Sequence, residues 1–259
     1  ADFEYDSLGQ TRRITTRNLQ NGTTLVTELT HDTLGREIER NLTFSGFPTR
    51  TITQVWQADD QLKSRHLRIG AHSLLMEEFQ YDPRKRLTRH TCSGELLPRD
   101  DHGNRITRQA FRFDALDNIE LCTTTFDNGR SDRAEFTYAE DDSCQLKSVT
   151  HTYIEGGYKA LQTFDYDLDG HMLNDEQGRR LSYDSLGRLL TVKEAASDRT
   201  LSVYRYDGHN HLIGVREGEQ EETLRFYEGY TLSHPRQGTV HTQYFFHGQQ
   251  PLGEQRLHT

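Results

Sequence analysis

A short pattern returns along this chain: an aromatic residue, an aspartate, two or three small or polar residues, a glycine or asparagine, and then an apolar residue. It reads Tyr5-Asp6-Ser7-Leu8-Gly9-Gln10 near the start and, almost letter for letter, Tyr183-Asp184-Ser185-Leu186-Gly187-Arg188-Leu189 far downstream. Looser copies are His31-Asp32-Thr33-Leu34-Gly35-Arg36, Tyr81-Asp82-Pro83-Arg84-Lys85-Arg86-Leu87, Phe113-Asp114-Ala115-Leu116-Asp117-Asn118-Ile119, Tyr166-Asp167-Leu168-Asp169-Gly170 and Tyr206-Asp207-Gly208-His209-Asn210. A unit this short cannot bury a core alone. Such a chain must build an extended, repetitive surface rather than wrap one pocket.

Between the copies the residues alternate. Ile38, Arg40, Leu42 and Phe44 share one side of an extended segment, and Glu37, Glu39, Asn41 and Thr43 the other. The preceding stretch, Leu25, Thr27, Leu29 and His31, alternates likewise and runs into Asp32-Thr33-Leu34-Gly35, which makes a strand, turn, strand unit. Each pattern position then has a job. The aromatic ends the incoming strand, the aspartate accepts hydrogen bonds from turn amides, and glycine or asparagine tolerates a positive φ. Further turn signals are Asp101-His102-Gly103-Asn104, Asp127-Asn128-Gly129, Glu155-Gly156-Gly157, Glu176-Gln177-Gly178 and Glu228-Gly229. The stretch Lys193–Asp198 is expected to be a hairpin loop rather than a helical turn. The five prolines, at 48, 83, 98, 235 and 251, fall near turns or strand ends. The expected fold class is all-β, one long antiparallel sheet of hairpins occupying residues 1–259 and curling as twisted sheets do.

Composition agrees with order through repetition. Only 32% of the 259 residues are hydrophobic, the formal net charge is −9 and the mean hydropathy is −0.88. Without the recurring Tyr, Phe, Leu and Ile such values would point to disorder. They suit a sheet with two moderately polar faces, held by strand pairing and ring stacking. Arginines are threaded among the acids and form no basic block, so nucleic acid is not an expected partner. There is no apolar run of membrane-spanning length and no signal-peptide core at the start, so no membrane span is expected. Cys92, Cys122 and Cys144 lack a Cys-x-x-Cys pair and are expected to be unpaired thiols; their spacing gives no support to a zinc site built from the three with a histidine.

The Tyr-Asp-x-x-Gly-Arg-Leu element resembles the YD repeat of Rhs proteins and of the C component of bacterial Tc insecticidal toxin complexes. Leu97-Pro98-Arg99-Asp100-Asp101-His102-Gly103-Asn104-Arg105-Ile106, followed by Phe111-Arg112-Phe113-Asp114-Ala115-Leu116-Asp117-Asn118-Ile119, resembles the Tc-toxin C component in particular. The resemblance covers nearly all of the chain. It implies a β-strip spiralling into a hollow shell that encloses a toxic C-terminal polypeptide until delivery, with secretion after bacterial synthesis. The partners it implies are the remaining shell or toxin-complex subunits and the enclosed toxin. The Asp-containing self-cleavage motif that family members place before the toxin has no Asp-Pro-x-Gly counterpart here, so no catalytic residue is carried over. The chain reads as a non-catalytic shell segment without its cargo, its open sheet edges disposed to pair with missing parts or with another copy. The alternative is a secreted or surface module whose repeats bind glycans or a partner protein.

Other constellations compete weakly. Asp165, Asp167, Asp169 and Glu176, with Gly170 at the sharp bend, match the calcium-loop pattern D-x-D-x-D-G-x5-E. The flanks do not read as helices and the loop contains a copy of the repeat, so a hairpin turn is the preferred reading and no cofactor is expected. His209 and His211 are two apart, and on a strand would share a face; neither they nor the pair His241 and His247 show a metal-binding spacing. There is no Gly-x-Ser-x-Gly, since Phe44-Ser45-Gly46-Phe47 lacks the first glycine, and no glycine-rich phosphate loop. The regular aromatics, among them Phe79, Phe111, Phe136, Tyr138, Phe164, Tyr204, Phe226 and Tyr244, are expected to stack on the next hairpin rather than read sugars.

Overall fold

The computed structural model describes residues 1–219, 223–226, 230–233, 240–247 and 250–258. Among these, secondary structure is β apart from one 3-10 turn at Ile154–Gly156. The chain divides into two compact units, Ala1–Leu161 and Gln162–Thr259.

In the first unit the strands are β1 (Asp2–Tyr5), β2 (Thr11–Arg17), β3 (Thr24–His31), β4 (Glu37–Phe44), β5 (Arg50–Trp56) and β6 (Leu62–Ile69). They continue with β7 (His72–Tyr81), β8 (Leu87–Ser93), β9 (Ile106–Phe113), β10 (Ile119–Phe126), β11 (Ser131–Tyr138), β12 (Leu146–Thr150) and β13 (Leu161–Thr163), which starts at the unit's last residue. The second unit contains β14 (Arg180–Tyr183), β15 (Leu189–Lys193), β16 (Thr200–Tyr206), β17 (Leu212–Glu217), β18 (Thr223–Phe226), β19 (Tyr230–Ser233), β20 (Val240–His247) and β21 (Gln250–His258). Both sheets, of 13 and 8 strands, follow sequence order without a crossover. The antiparallel order puts successive turns on alternate edges, so the turns after β1, β3, β5, β7, β9 and β11 line one edge of the first sheet.

The repeat leaves a mark in the register. The residue before the turn pairs with the residue after it, as in Tyr5 with Thr11, His31 with Glu37, Trp56 with Leu62, Tyr81 with Leu87, Tyr138 with Leu146, Tyr183 with Leu189 and Tyr206 with Leu212. A register shift precedes each of these pairs. A bulge in the same place on each hairpin adds right-handed twist along one edge. Pro251 sits at a similar shift opposite Phe246, where a missing N–H costs the ladder least.

The faces bury little. Among the described residues only Leu74, Cys92, Ile106, Phe126, Ala134, Val149, Tyr153 and Val192 are buried hydrophobics, and Thr51, Glu77, Thr124, Asp132, Asp175 and Thr242 are buried polar residues. Strand β4, expected to be drier on one side, is half-buried on both faces until its exposed end. The main apolar cluster lies on the edge opposite the turns after β1, β3, β5, β7, β9 and β11, where two long connections, residues 94–105 and 151–160, meet. It consists of Ile106, Phe126 and Tyr153, with Tyr158 packed against them. Asn104 donates from Nδ2 to the Gly156 carbonyl (2.9 Å), and the Tyr158 hydroxyl donates to Asp100 Oδ2 (2.6 Å). Gly157 closes this contact with φ 101°, and a Cβ there would lie 2.9 Å from the His102 ring. Glu228-Gly229 and Pro235 lie outside the described residues. Lys193–Asp198 does form a hairpin connection, with Glu194 N donating to Arg199 O at 2.9 Å.

Among the described residues Phe126 is the most buried large side chain, at 2% exposure. Phe126→Ala is expected to cost about 3–5 kcal/mol, read as a lower urea midpoint for the first unit.

Candidate functional site

The repeat turns form the most distinctive construction in the molecule, and each is built the same way. In all seven copies read from the sequence, the aspartate Oδ1 accepts two main-chain N–H groups, from the residues two and four further on. For Asp184 these are Leu186 N (2.9 Å) and Arg188 N (3.0 Å). Asp6, Asp32, Asp82, Asp114, Asp167 and Asp207 do likewise. The carboxylate therefore satisfies amides that a tight turn leaves without strand partners. The fourth position of the turn takes a positive φ: 78° at Gly9, 80° at Gly35, 83° at Gly170 and 74° at Gly187, with Lys85, Asp117 and Asn210 serving in the other copies.

Two further copies escaped the sequence pattern because no aromatic precedes them. Asp100 binds His102 N and Asn104 N, and Asp175 binds Gln177 N and Arg179 N, with the same geometry. A third, Trp56-Gln57-Ala58-Asp59-Asp60-Gln61, keeps the aromatic and the backbone frame, with Asp60 at φ 69°, but has glutamine in place of aspartate. In eight of the aspartate turns a further mark is the residue four places after the aspartate. It is Arg36, Arg86, Asn104, Asn118, His171, Arg179, Arg188 or His211, and its side chain binds the aspartate's second oxygen.

That same residue links one turn to the next. Adjacent strands are about 4.7–4.9 Å apart, so turns on one edge recur at about 10 Å, a gap that a long side chain spans. Arg36 Nη1 donates to Gln57 O (2.9 Å) and Asp60 Oδ1 (2.8 Å) in the following turn. Arg86 Nη1 reaches Asp114 O (2.9 Å) and Asp117 Oδ1 (2.7 Å), and Arg188 Nη1 reaches Asp207 O (3.2 Å) and Asn210 Oδ1 (2.9 Å). Asn118 reaches Ser143 O, and Lys85 reaches back to Asp59 O. The first sheet thus carries an unbroken ladder of bonded turns from Asp32 to Ser143.

The aromatic belongs to this ladder, and its packing differs from the expected stack on the next hairpin. Four of the rings pack backward, against the side chain that closes the preceding turn on the same edge. Arg36 lies 6.0 Å from the Trp56 centroid, Arg86 4.8 Å from Phe113 and Arg188 5.0 Å from Tyr206, while His171 stacks on Tyr183 at 4.8 Å. The polar tip of the ring then donates to the first strand carbonyl after that preceding turn: Trp56 Nε1 to Glu37 O, Tyr81 hydroxyl to Leu62 O, Tyr138 hydroxyl to Ile119 O and Tyr183 hydroxyl to Met172 O, at 2.8–3.0 Å. Tyr5 is 50% exposed.

The calcium-like loop resolves into two such turns. Asp167 accepts Asp169 N and His171 N on Oδ1 and His171 Nδ1 on Oδ2; Asp165 N donates to Asn174 Oδ1; Glu176 falls inside the next turn, headed by Asp175. His209 and His211 belong to the turn of Asp207 rather than to one strand face, because both main-chain N–H groups bind its carboxylate. The cysteines are free.

Two polar clusters lie away from the ladder. Buried Asp132 accepts Thr152 N and Tyr153 N on Oδ1 and the His151 Nδ1 proton on Oδ2 (2.7 Å), and Tyr158 stacks on His151 at 4.8 Å. Burial, and then its bond to the Asp100 carboxylate, pushes the Tyr158 phenol pKa upward, so the hydroxyl stays a donor. The second cluster, Glu77, His90 and Cys92 on β7 and β8, went unseen in the sequence because Glu77 meets Cys92 only across the strand register. Burial, with the Glu77 charge, pushes the Cys92 thiol up to about 11.

The carboxyls of Asp32, Asp82, Asp114, Asp167, Asp184 and Asp207 are held below their ordinary 3.8. At Asp184 the Arg188 guanidinium is the main cause, at Asp114 the Asn118 amide, and at Asp167 and Asp207 the main-chain N–H of His171 and His211. At Asp32 and Asp82 burial pushes upward, and bonds from Arg36 and Arg86 outweigh it. A carboxyl whose folded pKa is depressed contributes stability above its unfolded pKa and loses it as pH falls through the folded value.

Comparison with protein families finds no match, and comparison with curated proteins finds none. Solved structures do match. A chain of the Photorhabdus luminescens Tc holotoxin pore, carrying a point mutation in TccC3, superposes with a TM-score of 0.53 at 13% identity, over 99% of this chain and 15% of that one. A chain of a TcdB2-TccC3-TEV structure aligns with a TM-score of 0.47 at 12% identity, over 98% of this chain and 15% of its own length. This chain therefore spans about a seventh of these Tc toxin chains, and it shares the fold of that part of a Tc toxin complex chain.

Two outcomes are expected from the ladder. Tyr183→Phe leaves the ring and removes the bond to Met172 O, costing about 0.5–1.5 kcal/mol in urea denaturation. In acid titrations followed by the urea midpoint, the aspartate contribution is constant well above pH 3.8 and is lost progressively below it; Asp184→Asn flattens that slope, and an unchanged slope would deny the carboxylate its role.

Proposed function

We propose that this chain is a non-catalytic wall segment of an Rhs/Tc-type encapsulating shell, whose task is to enclose a toxic polypeptide until delivery. The observation that carries the reading is the ladder: a sheet ordered strictly by sequence, tied along one edge turn by turn, can extend without a large core. A container wall needs that property, and its half-buried, polar faces offer no greasy surface to trap a cargo. The likeness over 99% of this chain to a Tc holotoxin pore chain supports the same reading. On this reading the partners are the neighbouring shell or toxin-complex subunits and the enclosed polypeptide, and the protein acts outside the cell that makes it. Among the described residues no helix is long and apolar enough to cross a membrane.

A glycan-binding role draws little support from the repeat aromatics, since the rings of Trp56, Tyr81, Phe113, Tyr183 and Tyr206 are occupied by the ladder or by backbone bonds. Electron microscopy of the gene-encoded polypeptide that contains this stretch, combined with limited proteolysis, tests the proposal. The expected result is a hollow body with this stretch in its wall and a protease-resistant polypeptide inside. An open blade cut freely from both faces, or glycan-array binding that depends on the repeat tyrosines, would overturn it.

A further inference from the structure

Glu77, His90 and Cys92 bring a carboxylate, an imidazole and a thiol together on three strands' worth of well-ordered support, away from the repeat turns. His90 and Cys92 are two apart on β8 and share a face, and Cys92 stands directly opposite Glu77 on β7. One nitrogen is the focus: His90 Nε2 lies 3.1 Å from Glu77 Oε1 and 3.3 Å from Cys92 Sγ. The three ligand atoms fall within 4.8 Å of one another. Zinc bonds of about 2.0–2.3 Å in tetrahedral geometry place nitrogen, oxygen and sulfur ligands about 3.4–3.6 Å apart. The two His90 distances lie within a few tenths of an ångström of that spacing.

The surroundings orient these donors as second-shell groups orient metal ligands. Arg65 Nε on β6 holds Glu77 Oε2 at 2.6 Å, which leaves Oε1 turned to His90. Phe79 stacks on the His90 ring at 4.8 Å and 4°, fixing its plane. Glu77 and Cys92 are buried at 5% and 6% exposure, while His90 is partly open, so an ion has a way in and a water can complete the fourth position. Glu77 offsets Arg65, and loss of the Cys92 proton on binding supplies a second anionic ligand for a dication.

We propose that Glu77, His90 and Cys92 bind a borderline-soft divalent transition metal, zinc by the chemistry of the donor set, and that the ion clips β7 to β8. Binding transfers the thiol proton to solvent and forms the metal–sulfur bond, with no change of oxidation state. The expected result with added Co²⁺ is one equivalent bound, with a thiolate-to-cobalt charge-transfer band, displaced by Zn²⁺. The band survives in the Cys122→Ser, Cys144→Ser double variant, disappears in Cys92→Ser, and needs at least tenfold more metal in His90→Ala. Alkylation mapped by mass spectrometry covers the case in which Cys92→Ser does not fold: in the native chain Zn²⁺ should slow Cys92 modification and a chelator restore it. No band in the native chain, a band unchanged in Cys92→Ser, or Cys92 alkylation indifferent to zinc would overturn the site and leave an ion-pair cluster around Arg65.

Discussion

The structure depends on one interaction, an aspartate oxygen that accepts two main-chain N–H groups within its own turn. A five-residue connection between antiparallel strands turns several amides away from strand partners, and burying them unpaired would be costly. One carboxylate oxygen satisfies two of them, as at Asp184 with Leu186 and Arg188. The rest follows from that. The turn closes with a left-handed residue before its last position, which is why Gly187 stands at φ 74°; separately, the approach of His171 from another turn leaves a Cβ there only 2.5 Å from Nε2. Oδ2 remains free, and it fixes the side chain four residues after the aspartate, whose far end then reaches the following turn.

This arrangement explains how a chain with few buried apolar residues holds an extended sheet. Stability is distributed along an edge instead of concentrated in a centre, with hairpins bonded to their neighbours through guanidinium and amide side chains, rings and carbonyls. Isolated surface ion pairs contribute little, but here the guanidinium of Arg86 is held at once by Asp82, the Asp114 carbonyl and Asp117, and it rests on Phe113. A network with that many fixed partners loses less to side-chain entropy per bond than separate pairs would. Where the first unit does possess a small core, around Phe126 and Tyr153, it lies beside the two long connections that interrupt the regular hairpins. Apolar burial is used where the ladder's geometry is not.

Much of this was legible in the residues. The hairpins, the aspartate's duty, the positive φ at glycine or asparagine and the absorption of the calcium-like loop into the repeat follow from local chemistry, because each concerns groups within a few residues of one another. The turns at 101–104 and 176–178 were legible as turns, but their kinship with the repeat, and the turn at Gln57, were hidden because the pattern was anchored on an aromatic followed by aspartate, whereas the essential part is the backbone frame. The direction of ring packing was also hidden: Trp56 and Glu37 are nineteen residues apart, and only the sheet order brings them together.

The sequence by itself determined that the chain is all β, where most turns fall, and which atoms close them, since those interactions are local and repeat often enough to be read. The tertiary structure alone decided what lies beside what. It aligned the turns at the spacing of every second strand, so that Arg36, Arg86 and Arg188 became links instead of surface charges. It set the register that places Cys92 opposite Glu77, and it folded two distant connections together around Phe126. Register and strand order are properties of the whole sheet, and a one-residue slip would leave the same letters with different neighbours.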